Sequence, residues 1–167
     1  MKTIALIVGA LLLVVLIVVV IGYLLPQNHH VSRERTFSAS AETLFSQITN
    51  PAAYPEWRTG VSRVEIMPPE NGRVSFRESG SDGDIVFVFE TVEPGRRVVT
   101  RIADKSLPFG GKWTYELTPA PAGTVLRITE DGEVYNPLFR FISRFILGHY
   151  KSIDQFLDDL DRRVVNR

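Results

Sequence analysis

The sequence predicts an α+β domain: a curved antiparallel sheet of about seven strands, closed by one long C-terminal helix and carried behind an apolar N-terminal helix. Three observations lead there. Residues 3–25 contain no charged side chain. Between residues 61 and 133, short runs of β-branched and aromatic residues alternate with turns rich in Gly, Pro and Asn, the pattern of an antiparallel meander. From Pro137 onward the apolar residues switch to helical spacing.

The run from Thr3 to Leu25 includes Leu11 to Ile21 without one polar residue. As a helix it is about 35 Å long, enough for a bilayer core of about 30 Å. A cleaved secretion signal has a shorter apolar core and a small-residue cleavage site. This run ends in Tyr23-Leu24-Leu25-Pro26, with no Ala-x-Ala pattern. Apolar on every face, it reads as a single-pass anchor over residues 3–25, with Tyr23 at headgroup level. Residues 26–30 read as a short linker and residues 31–167 as the domain. A very short positive N-terminus, with Lys2, favours a domain on the non-cytoplasmic side, although Arg33 and Arg35 bring the flanking charges close to a tie.

The chain carries 19 basic and 19 acidic residues. Setting aside Lys2, the only charge before Arg33, leaves a net charge of −1. That balance lacks the basic excess of a nucleic-acid binder. The absence of Cys excludes disulfides, thiolate nucleophiles and Cys-ligated metals. His29 and His30 are adjacent and His149 is far away, so no chelating spacing is present and no metal is expected. There is no Gly-rich phosphate loop and no nucleophile elbow, so no cofactor is expected either.

The linker Pro26-Gln27-Asn28-His29-His30 reaches less than about 20 Å, which holds the domain at the bilayer surface. Val31–Phe37 reads as the first strand. Ser40 is a good N-cap for a helix over Ala41–Ile48, with Leu44, Phe45 and Ile48 on one side. Asn50-Pro51 stops it, and Pro51–Trp57 reads as a turn or second short helix with Trp57 as a packing anchor. Strands follow at Val61–Met67, Arg73–Ser79, Ile85–Thr91, Arg96–Ala103, Lys112–Thr118 and Thr124–Glu133. The final helix is expected over Pro137–Val164, with Ile142, Ile146, Ile153, Phe156 and Leu160 in its apolar stripe. Phe141 and Leu147 fall outside that stripe, available to lipid, a partner or a neighbouring loop.

The segment Phe37-Ser38-Ala39-Ser40-Ala41-Glu42-Thr43-Leu44-Phe45, followed by Thr49-Asn50-Pro51-Ala52-Ala53-Tyr54-Pro55-Glu56-Trp57, resembles the opening of the helix-grip (SRPBCC) superfamily. That superfamily includes START lipid-transfer domains, Bet v 1 allergens and the polyketide cyclase/dehydrase group. The resemblance covers about residues 31–165. It implies a cavity between the curved sheet and the final helix, holding an apolar or amphipathic ligand. It implies no universal catalytic motif, because one fold hosts carriers, sensors and enzymes.

Candidate cavity residues are Phe87 and Phe89, Trp113 and Tyr115, and Ile153 of the last helix; the alternative is that these simply fill the core. Glu78 and Glu130 continue period-two patterns with apolar residues, which makes each a candidate inward carboxylate able to bind or protonate a ligand. The competing reading puts both at solvated strand ends. His149 falls on the apolar helix face, as an acid–base group or as a satisfied core histidine. Tyr115 and Tyr150 are possible hydroxyl donors. Arg97, Arg101 and Arg127 fall on the opposite sheet face, where Glu partners are expected. Leu107, Phe109 and Gly110 form a candidate gate loop, two apolar residues beside Gly110-Gly111. The functional expectation is a membrane-anchored domain that binds a hydrophobic small molecule or lipid. The alternatives are a cyclase- or dehydrase-like enzyme and a non-enzymatic interaction module of a membrane complex.

Overall fold

The computed structural model describes residues 2–148 and 150–165. Helix α1 (Lys2–Leu24) is continuous over 23 residues. An 18-residue window of it has mean hydropathy 3.6 with no residue buried, so it is long and apolar enough to cross a membrane.

Strand β1 (Asn28–Phe37) starts earlier than the apolar pattern indicates. His29 and His30 are therefore strand residues, opposite Gly132 and Asp131, not part of a linker. Backbone pairing needs no apolar side chain. Only Leu25, Pro26 and Gln27 separate α1 from the sheet.

Helix α2 (Ala41–Ile48) begins where Ser40 Oγ accepts from the Thr43 amide at 3.1 Å. A 3-10 turn (Pro51–Glu56) follows. Six strands complete the sheet: β2 (Val61–Glu70), β3 (Arg73–Gly80), β4 (Gly83–Glu93), β5 (Arg97–Ile102), β6 (Phe109–Ala120) and β7 (Gly123–Val134). Their order is β1-β7-β6-β5-β4-β3-β2, and every pairing is antiparallel. The meander from β2 to β7 is thus sequential, and β1 closes beside β7.

The C-terminal region is not one helix. Helix α3 (Pro137–Ile142) runs into a π turn (Ser143–Leu147), and helix α4 (Lys151–Val165) begins after a break. Gly148 makes that break, with φ +72° and ψ 162°, a region open almost only to glycine. Apolar periodicity carried the sequence expectation across this point, because a glycine at helical spacing leaves the pattern intact on either side.

The two helices then go to different places. Helix α4 lies on the concave sheet face, where Ile153, Phe156, Leu157 and Leu160 are buried with Phe37, Leu44 and Leu126. Arg33 and Arg35 of β1 reach its Asp154 and Asp158 at 3.0 and 2.7 Å. On its other flank, buried Asp159 accepts from the Thr59 amide and hydroxyl at 2.7 and 2.8 Å. Helix α3 instead packs on the last turn of α1. Gly22 is buried there, and a Cβ at that position would overlap the Pro137 carbonyl. Arg140 donates to the carbonyls of Gly22 and Leu25 at 3.4 and 3.2 Å, satisfying groups that a helix end leaves open.

Candidate functional site

Residues paired across an antiparallel sheet share a face. One row runs Phe89, Thr100, Trp113, Glu130, Val31 across five strands. It lies on the concave face, since Phe89 and Val31 are buried in the core beneath α4. Two residues along each strand, Tyr115 opposes Ile128 in the next row. In the other direction, Phe76 opposes Phe87, and Gly132 opposes His29.

The rings on this face touch one another. Phe76 stacks on Phe87 at 5.6 Å and meets Phe89 at 5.2 Å. Phe156 of α4 sits among Trp57, Tyr115 and Trp113, at 5.4, 5.5 and 5.9 Å. Tyr54 joins Trp57 to Phe76 through edge contacts at 5.6 and 6.0 Å. All five candidate cavity residues thus come together: Phe89, Tyr115 and Ile153 are buried in one core cluster, and Phe87 and Trp113 pack against it. Trp57, Phe87 and Trp113 are half-buried, whereas Phe76, Phe89, Tyr115 and Phe156 are buried.

Both candidate carboxylates point inward. Glu78 keeps only 12% of its side chain exposed and accepts from Arg58 Nη1 at 2.6 Å. Arg58 lies 4.7 Å from the Tyr54 ring centre and 5.2 Å from that of Phe156. Burial pushes the Glu78 carboxyl above its ordinary value, and the adjacent guanidinium only partly reverses this. Burial alone would lower Arg58, but Glu78 and the two tyrosines raise it and keep it charged. Burial also raises the phenols of Tyr54 and Tyr115. Glu130 is 18% exposed and meets His29 Nε2 at 3.0 Å. Its Oε2 and the Trp57 Nε1–H are buried with no hydrogen-bond partner among the described residues. One acceptor and one donor are therefore left inside the ring-lined interior, an arrangement that ordinarily carries a cost.

The remaining candidates are placed elsewhere. Phe109 and Gly110 are not loop residues: they pair with Val134 and Glu133 as the start of β6. The connecting loop is 103–108, where Leu107 is half-buried and Asp104 accepts from the Ser106 amide at 2.8 Å. Gly111 answers a close approach rather than a hinge, since a Cβ there would overlap the Asp131 carbonyl. His149 lies outside the described residues. Tyr150 is exposed, with the Arg33 guanidinium 3.6 Å above its ring. Arg97, Arg101 and Arg127 each pair with glutamates: Glu93; Glu70 and Glu90; and Glu34.

Two shallow depressions, of about 530 and 440 Å³, lie outside this interior. The first follows the solvent side of α4, past Asp154, Asp158 and Arg162; the second lies over His30, Glu34, Glu116 and Arg127. Among the described residues, no three His, Asp or Glu side chains converge as a metal site would require.

Sequence reasoning did not single out Arg58, His29 or Phe156 as site residues. Phe156 was visible as part of the helical stripe. His29 belongs to no apolar pattern, so nothing in the sequence marks it as a strand residue. Arg58 follows the Tyr54–Trp57 turn, where no periodicity assigns a face; only its place directly after Trp57 marks it.

A strand, a capped helix, a six-strand meander and a helix laid across the concave face define a helix-grip protein. The family described as polyketide cyclase / dehydrase and lipid transport matches residues 28–165, and the chain belongs to it. No curated protein matches the chain. Among solved structures, a START superfamily protein from Mycobacterium smegmatis is 22% identical, with TM-score 0.63 over 83% of this chain and 98% of that one. The Zhui aromatase/cyclase from a Streptomyces species is 13% identical, with TM-score 0.67 over 84% and 95%. A norcoclaurine synthase point mutant from Thalictrum is 12% identical, with TM-score 0.64 over 83% and 95%. At these identities the likeness is one of fold.

Proposed function

We propose that this protein is a bilayer-anchored binder of a hydrophobic small molecule or lipid. Helix α1 spans the membrane once, and the domain sits on the non-cytoplasmic side, held there by the three residues between α1 and β1. The observation that carries the binding half is the pair of orphaned atoms, Trp57 Nε1 and Glu130 Oε2, inside an interior of contacting rings. A ligand with an apolar body and one or two polar atoms suits it: the rings supply burial, at about 25 cal/mol per Å², and the indole and carboxylate set orientation. The rings touch in this structure, so access requires the half-buried Trp57, Phe87 and Trp113 to move. Membership of a family whose description includes lipid transport supports the same reading.

A second reading is a cyclase- or dehydrase-like enzyme. The His29–Glu130 contact favours it, because an imidazole beside an inward carboxylate can move a proton. Native mass spectrometry of the full chain released from detergent tests both. An amphipathic molecule retained by the wild type and lost on combining Trp57→Phe with Glu130→Gln supports binding at this place. Mass at the bare-chain value, with a melting temperature unmoved by fatty acids, phospholipids and aromatic polyketides, overturns it. Turnover of a retained molecule that stops on His29→Gln, with binding intact, selects the enzyme.

A further inference from the structure

After β7, helix α4 folds back on the sheet, but residues 137–147 do not. Helix α3 is clamped to the end of α1 by the Gly22–Pro137 contact and by Arg140. Beyond the clamp the segment presents apolar side chains to the outside: Leu138, Phe139, Phe145 and Ile146 are 42–69% exposed. Singly exposed apolar residues are ordinary, but four on one eleven-residue segment need a partner.

The place and charge of the segment say which partner. If α1 spans the bilayer, Gly22 and Leu25 mark where it leaves the hydrocarbon, and a helix packed there lies at the headgroup level. The charge agrees. No Asp or Glu occurs between Glu133 and Asp154, whereas Arg140, Arg144 and Lys151 do. A basic, apolar-edged segment in the membrane plane matches an interface carrying anionic lipid.

We infer that residues 138–146 insert into the headgroup–acyl boundary of an anionic bilayer beside α1, so that the end of the sheet at Phe109 and Val134 faces the membrane. The inference rests on the reading of α1 as a span. The second half follows from register. Val134, the end of β7, bonds to Gln27 just after α1, and Phe109, the start of β6, lies opposite Val134; His29 and Gly132 lie two residues further along their strands. The turn at Pro94-Gly95 lies at the opposite end of the strands.

The chain has no Cys, so one introduced cysteine reports alone. The full chain would carry a nitroxide at Phe145→Cys or Ile146→Cys, at Val14→Cys in the middle of α1, or at the exposed Val92→Cys far from α1. Each is reconstituted in phosphatidylcholine–phosphatidylglycerol vesicles, and collisions with oxygen and with a water-soluble nickel chelate are measured. Loss of nickel accessibility at 145 and 146 relative to 92, with a shift towards water in vesicles of phosphatidylcholine alone, supports the inference. Nickel accessibility at 145 and 146 equal to that at 92, with the label at 14 buried, overturns it and leaves the span standing. Equal depth in both vesicle types overturns the anionic-lipid part. A water-accessible label at 14 removes the span itself.

Discussion

Arg58 Nη1 donates to Glu78 Oε1 across 2.6 Å, and the guanidinium rests between the Tyr54 and Phe156 rings. The two partners are not equivalent. Arg58 stays charged whatever its neighbour does, whereas burial has moved Glu78 towards its neutral form. Arg58→Met therefore strands a buried carboxylate and removes two ring contacts, at a cost of about 3 kcal/mol near neutral pH. Glu78→Gln keeps a carbonyl for Arg58 to donate to and costs distinctly less. Urea unfolding of the two variants checks this; equal losses would show that the carboxylate charge is as necessary as the guanidinium.

The same pair sets a pH dependence. The folded value of Glu78 lies above its unfolded one, so the folded state holds a proton that the unfolded state has released. This group's contribution to stability is therefore greatest at low pH and is lost as pH rises from the ordinary carboxylate range through the raised folded value. Wild type minus Glu78→Gln, measured by urea unfolding at stepped pH, should decline across that window. A difference that instead grows with pH would mean that Arg58 outweighs burial.

Much of this architecture was legible in the sequence because it depends on signals that act locally. Ser40 caps α2, Pro51 ends it, and the alternation of Trp113, Tyr115 and Leu117 fixes the inner face of β6. What was not legible depends on partners distant along the chain. His29 becomes a strand residue only because Gly132 lies opposite it. Phe109 and Gly110 look like a loop until β7 pairs with them. Glu78 could be assigned a face by period, but not its cation, because Arg58 sits in an irregular turn 20 residues earlier. The break at Gly148 was hidden for the converse reason: a continuous stripe is compatible with one helix or with two that bury it against different elements.

Asp159 joins α4 to the start of β2 through Thr59 and also meets Arg162. It is 2% exposed, so Asp159→Ala leaves the Thr59 amide without its acceptor. The expected loss is about 2 kcal/mol, read from chemical denaturation. Gln155 still holds the Thr59 carbonyl at 2.9 Å, so α4 should remain seated and helical content should not change. Loss of helix signal would show that Asp159, rather than the apolar stripe, docks α4.

Gly148 has open space around its missing Cβ, so Gly148→Ala tests backbone conformation alone. An alanine in this φ/ψ region costs about 2 kcal/mol. The melting temperature should fall with helical content unchanged. A higher melting temperature with added helix would show that α3 and α4 prefer to join, with the break imposed from outside.

The contact between α1 and α3 can be broken from either side. At Gly22 the obstacle is backbone, the Pro137 carbonyl, so Gly22→Val cannot be accommodated by a rotamer change and must push α3 away. Arg140→Ala removes the bonds to Gly22 and Leu25 but leaves the apolar packing. It also removes the bonds from Arg140 to the Val134 and Tyr135 carbonyls, at 2.8 and 3.0 Å, which tie α3 to the end of β7. Hydrogen exchange on the full chain in detergent should therefore lose protection over 137–142 in both variants, and at the end of β7 mainly in Arg140→Ala. Helix α4 should keep its protection in both, because its anchors, Arg33, Arg35 and Thr59, are untouched. Loss of protection in α4 alongside α3 would mean that the two helices unfold as one unit despite Gly148.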